Sequence, residues 1–152
     1  MRGHLFLYAV FATLMISCNE PTVETSYFYG EWEISDAYFD EVKIDWGEQS
    51  PTAEYMNLLN SIKEDVASSK GERWLFNPDS SFYAESSNKN PSYWIYNKSL
   101  KEIQFSNSRE PFDINYMYKV EIADDAIIMV DIMKDVGTTT TILKKSDSKK
   151  IK

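Results

Sequence analysis

An antiparallel, mainly β domain of about eight or nine short strands, with one helix inserted at about residues 51–68, is the fold class this sequence predicts. Three observations predict it. Apolar side chains alternate with a period of two in one segment after another. Turn sequences separate those segments at hairpin distances. A single stretch switches to the three-and-four spacing of a helix. Such a pattern belongs to an antiparallel barrel or sandwich.

The first strand begins at Tyr29-Gly30-Glu31-Trp32-Glu33-Ile34, where Trp32 and Ile34 share a face. Val42, Ile44 and Trp46 alternate in the same way and predict a second strand. Ser50-Pro51 predicts a helix start, because a proline in the first turn lacks only an N–H that would have no intrahelical partner. Tyr55, Leu58, Leu59, Ile62 and Val66 then form one apolar stripe, and Lys70-Gly71 ends the helix. Arg73-Trp74-Leu75-Phe76 leads into Asn77-Pro78-Asp79-Ser80, a type I turn sequence, and Phe82-Tyr83-Ala84 returns. Ser92–Asn97 and Leu100–Ser106 are separated by Lys98-Ser99, a hairpin-length gap. In Asp113–Ala123 the side chains of Ile114, Tyr116, Tyr118, Val120 and Ile122 face one way. Asp124-Asp125 turns that strand into Ala126–Met133, and Gly137 precedes the last one, Thr138–Lys145.

Ahead of the domain stands a secretory leader. Arg2 supplies its positive end, and Leu5 to Ile16 is an uncharged apolar run, shorter than the roughly 20 residues of a membrane span. Met15-Ile16-Ser17-Cys18 reads as a lipobox, which predicts removal of residues 1–17 and acylation of Cys18. A cysteine carrying several acyl chains is stably held at a membrane. Residues 18–26 are polar, contain Pro21 and lack periodicity, as expected of a lipidated tether. The barrel or sandwich domain is then 27–145, one domain by size, and 146–152 a basic tail. The expected location is the outer membrane, facing either the periplasm or the exterior.

Composition narrows the chemistry. With 16 Lys+Arg against 24 Asp+Glu the chain is at −8, and loss of Arg2 with the leader deepens that by one. Such a charge argues against nucleic acid. The single histidine, His4, lies in the leader, and the single cysteine is taken by the lipid. Ser-His-Asp and Cys-His catalysis and zinc sites built from His or Cys are thereby removed. Carboxylate chemistry remains, with no pair marked out, so neither an enzyme nor a cofactor is expected. Two acidic groupings, Asp36, Asp40, Glu41 and Asp45, and Asp124, Asp125, Asp131 and Asp135, do not match a calcium loop. They read as turn residues and solvated strand edges.

Gly30-Glu31-Trp32 resembles the Gly-x-Trp that opens lipocalin-type barrels. The chain is also similar to small lipocalin-like lipoproteins of Bacteroidetes-type bacteria. Ser17-Cys18-Asn19, Phe76-Asn77-Pro78-Asp79-Ser80-Ser81-Phe82 and Thr141-Ile142-Leu143-Lys144-Lys145 carry that likeness together with Gly30-Glu31-Trp32. Two features depart from it: a helix between the second and third strands, and Ser80 in place of the usual turn glycine. The resemblance implies a lipocalin-like β-barrel whose Trp32 packs across the closed end, with the helix capping or plugging a mouth.

The aromatic side chains are the remaining clue, at 14% of the chain. Trp32, Trp74, Trp94, Tyr96, Tyr116 and Tyr118 are candidate ligand-binding residues, although a barrel of eight strands can equally be packed solid. Tyr116 and Tyr118 share the face of Val120, and inward hydroxyls need partners, which suits a ligand cavity better than a dry core. The expected function is non-catalytic binding of a small hydrophobic or amphipathic ligand by a membrane-anchored protein. The alternative is a protein-interaction or inhibitor module using the barrel surface and loops.

Overall fold

The computed structural model describes residues 24–48, 50–86 and 92–146. The leader, Cys18, most of the tether and the tail from residue 147 lie outside the described residues. A 3₁₀ turn, Thr25–Phe28, precedes eight strands: β1 Gly30–Glu41, β2 Arg73–Phe76, β3 Ser81–Ala84, β4 Ser92–Asn97, β5 Glu102–Ser106, β6 Tyr116–Ala123, β7 Ala126–Met133 and β8 Gly137–Lys145. One helix, α1 Ala53–Ser69, lies between β1 and β2. Each strand pairs antiparallel with the next, and β8 pairs with β1, so the sheet closes into a barrel.

The strand expected at Val42–Trp46 is absent, and β1 is one strand of 12 residues. A bulge between Ile34 and Asp36 interrupts its period of two. The bulge shifts the inward set from Trp32 and Ile34 to Ala37 and Phe39, which hides the continuity from a period-two reading. The chain leaves the sheet at Val42, whose N–H is bonded to the Val136 carbonyl at 2.9 Å. The helix therefore follows the first strand, not the second. Its cap is Thr52, whose hydroxyl accepts from the Tyr55 N–H at 3.2 Å, two residues beyond the expected start at Ser50. α1 runs back along the upper half of β1, where β2 no longer pairs, from Lys63 beside Glu41 to Gly71 bonded to Ile34. β6 starts at Tyr116, later than expected, because Asn115 bonds Phe105 through its N–H and Asn107 through its side chain, closing a loop. Ile114 is left exposed in that loop.

Inside, Phe28, Trp32, Ile34, Phe76, Phe82, Trp94, Ile103, Phe105, Val120, Ile127, Met129 and Leu143 form one core. The rings of Phe76, Phe82, Trp94 and Phe105 lie 4.7–6.1 Å apart in edge-on and tilted pairs, the favourable arrangement of aromatic quadrupoles. The two ends differ. At one, the 3₁₀ turn plugs the barrel: Phe28 packs against Trp94 and Tyr96, and its carbonyl accepts the Trp32 indole N–H at 2.7 Å. The β4–β5 and β6–β7 turns and the end of β8 gather there, with Lys98 paired to Glu24 at 2.6 Å and Lys145 bonded to the Tyr29 carbonyl. At the other end the walls are uneven. β2 to β5 have only four to six residues each, whereas β6 to β8 and β1 have eight to twelve.

Candidate functional site

The six aromatic residues singled out by the sequence fall into two groups. Trp32 and Trp94 are buried at the plugged end, with both indole N–H groups bonded to backbone carbonyls, of Phe28 and of Asn77. Tyr96 is half-buried with its ring 4.7 Å from Phe28. These three hold the plug in place and present no free polar atom of an indole to the interior. Trp74 and Tyr118 stand elsewhere in the interior, and Tyr116 at the rim.

Strand register brings that second group together. Trp74 is the first inward residue of β2, paired with Trp32 on one side and Ala84 on the other. Tyr118 pairs with Ile103, and Tyr116 with Phe105. Phe105 stands between the two ends of the cluster, its ring 6.3 Å from Trp74 and 5.8 Å from Tyr118. Tyr116 reaches the rim and is 62% exposed, so the inward alternation ends in solvent. The Trp74 indole nitrogen is buried and has no hydrogen-bond partner, a second such atom being the Tyr55 hydroxyl on α1.

Asp131, expected among the turn and edge acids, instead stands beside Tyr118. In β7 the inward side chains are Ile127, Met129 and Asp131, the last paired with Thr139 of β8. Continuing the Lys119–Val130 register by one step sets Asp131 opposite Tyr118. Burial pushes the Asp131 carboxyl up from the usual carboxylate range. Burial, then the neighbouring Asp131 and Tyr116, push the Tyr118 hydroxyl up to about 12. Both groups are therefore held toward their protonated, donor forms. The signal was present in the sequence as the alternation Ile127, Met129, Asp131; it was masked by the other acids nearby.

The rest of the acidic groupings disperse. Asp36 and Glu41 face Lys70 and Lys63, Asp45 accepts from the Gly47 N–H, and Asp124 and Asp135 sit in turns at positive φ. Among the described residues no group of three or more His, Cys, Asp or Glu is gathered around one point. No helix among them is long and apolar enough to cross a membrane.

The structure is thus a closed, eight-stranded antiparallel barrel with one helix, plugged at one end, with a buried unpaired indole nitrogen on β2, a buried tyrosine on β6 and an inward carboxyl on β7. That architecture fits a lipocalin-like fold. Comparison with protein-family models, with curated proteins and with solved structures gives no match for this chain.

Proposed function

We propose that the protein is a lipid-anchored lipoprotein of the outer membrane that takes up a small hydrophobic or amphipathic ligand at the open end of its barrel, without chemistry on it. The Trp74 indole carries the reading: its ring lies 5.3–6.4 Å from those of Phe76, Phe82 and Phe105, and its N–H is buried and has no partner. A buried donor left unpaired costs about 1–3 kcal/mol, a cost that a ligand acceptor offsets. Tyr118 and Tyr116 extend the same aromatic surface to the rim. The anchor rests on the apolar run Leu5 to Ile16 followed by Ser17-Cys18, and kinship with lipocalin-like lipoproteins of Bacteroidetes-type bacteria rests on the motifs that span the chain. Native mass spectrometry of protein released from its own cells tests the carrier role. A retained small molecule is expected; recovery of the bare polypeptide alone overturns it.

A second reading, a protein-interaction module, is favoured by the outer wall. Ile95 and Met117 flank Gln104 across three strands and are 41% and 47% exposed. Crosslinking in intact cells that joins this wall to a partner protein would support it.

A further inference from the structure

We infer that the outer wall formed by β4 to β8 is a self-association surface, through which two copies of this chain pair about a two-fold axis. Self-association supplies the partner for the wall read above as an interaction surface, and rests on that reading. Ile127 and Met129 point into the core, so alternation turns Ile128, Val130 and Ile132 outward on β7. Leu143 does the same for Thr138, Thr140 and Ile142 on β8. Register sets these side by side: Ile132 pairs with Thr138, Val130 with Thr140 and Ile128 with Ile142. Continuing the Lys119–Val130 register by two residues brings Met117 beside Ile132, and Met117 leads through Gln104 to Ile95. One band thus crosses five strands. Ile132 at its centre is 68% exposed, more than any other large apolar residue among those described.

Charge favours a second copy as the occupant. The chain is at −8, so two copies repel through most of their surface. The outward positions of β7 and β8 from Ile128 to Ile142 hold no Asp or Glu. Acids stand at the border of the band: Asp36 and Asp40 on β1, Glu121 on β6, and Glu102, paired with Lys119 at 2.6 Å. The polar groups within it are the Thr138 and Thr140 hydroxyls and the Gln104 amide. Each is both donor and acceptor, so the face is complementary to its own copy. Its β-branched side chains also lose little rotamer freedom when covered. Area agrees. Ile132, Met117, Ile95 and, beside Thr140, Tyr38 keep 41–68% of their surface exposed, on the order of 400 Å² of apolar area per copy. Two such faces with their polar border bury about 1,000 Å², the size at which a specific interface begins. Acyl chains fit the wall poorly, because Gln104 and the Lys119–Glu102 pair would be carried into hydrocarbon with it.

The test uses the full-length chain in its own cells, co-expressed in two versions with different tags. Benzoylphenylalanine placed at Ile132 should, on irradiation, join the two tagged copies. The same residue at Leu58, exposed on α1 beyond β1, should not. Ile132→Glu sets two like charges near the axis of the pair and should lower co-capture of the second tag at least about tenfold. Its melting temperature should stay unchanged, because the side chain is exposed in the single copy. Co-capture that survives Ile132→Glu, or equal crosslinking from Leu58, overturns self-association through this wall. Crosslinks from Ile132 to a different protein alone also overturn it, while leaving the wall an interaction surface. No crosslink from Ile132 to any protein overturns both.

Discussion

Lys145, the last residue of β8, holds its ammonium 4.3 Å over the ring of Trp32 and donates to the Tyr29 carbonyl at 2.6 Å. Burial pushes its pKa down, so the contact is made by a partly desolvated cation. The first and last strands are thus locked where the barrel closes. Lys145→Met keeps the aliphatic stem and removes both contacts. It should cost about 1–2 kcal/mol in urea unfolding, the sum of a cation–π contact and one hydrogen bond. Trp32→Ala removes a fully buried indole together with its bond to Phe28 and should cost about 3–5 kcal/mol, enough to leave little folded protein.

Two small-residue exchanges should act in opposite directions. Ser80 closes the β2–β3 turn with φ at +68°, where a side chain is strained, and its turn bonds use the backbone. Ser80→Gly should therefore stabilise the barrel by about 1 kcal/mol. At Gly137 an added methyl would lie 2.5 Å from the Asp40 carbonyl and closer still to the Phe39 ring. Gly137→Ala should cost about 1–3 kcal/mol, read in the same unfolding experiment.

The paired titration of Tyr118 and Asp131 gives a signed pH dependence. Both acids have folded pKa values above their unfolded ones, so folding favours the protonated forms. For Tyr118 the associated stability is fully present below pH 10 and is lost as pH rises from there to about 12. Ultraviolet titration should show one tyrosine ionising near 12, a signal that Tyr118→Phe removes. For Asp131 the loss begins in the ordinary carboxylate range and is complete once its raised folded value is passed. Asp131→Asn should accordingly raise the melting temperature at neutral pH and have no such effect in acid.

Membrane attachment is tested separately from the barrel. Cells fed an alkyne-tagged fatty acid should label the wild-type protein and leave Cys18→Ala unlabelled. The variant should also leave the membrane fraction. Equal labelling of both would exclude the anchor.

Most of the barrel was legible from alternation. Arg73–Phe76, Ser92–Asn97 and Ala126–Met133 are strands with the bounds the sequence implies. What misled was local geometry. The bulge after Ile34 breaks the period of β1, so a long strand looked like a short one followed by another at Val42. Trp74 and Tyr118 were visible as inward aromatics. Asp131 was not separable from its acidic neighbours, because only pairing tells a turn carboxylate from one opposite Tyr118. The unpaired state of the Trp74 N–H depends on which carbonyls come near it, and no spacing in the sequence encodes that.

The chain enters the barrel through the plug: Glu24 is tied to Lys98, and the 3₁₀ turn follows at once. Cys18 is only six residues earlier, a reach of roughly 20 Å when fully extended. A lipid on that cysteine would moor the molecule by its base, with the plug toward the bilayer and the uneven mouth turned to the aqueous side. Cargo would then be exchanged with a soluble donor or acceptor arriving from that compartment, not drawn sideways out of the membrane that holds the protein.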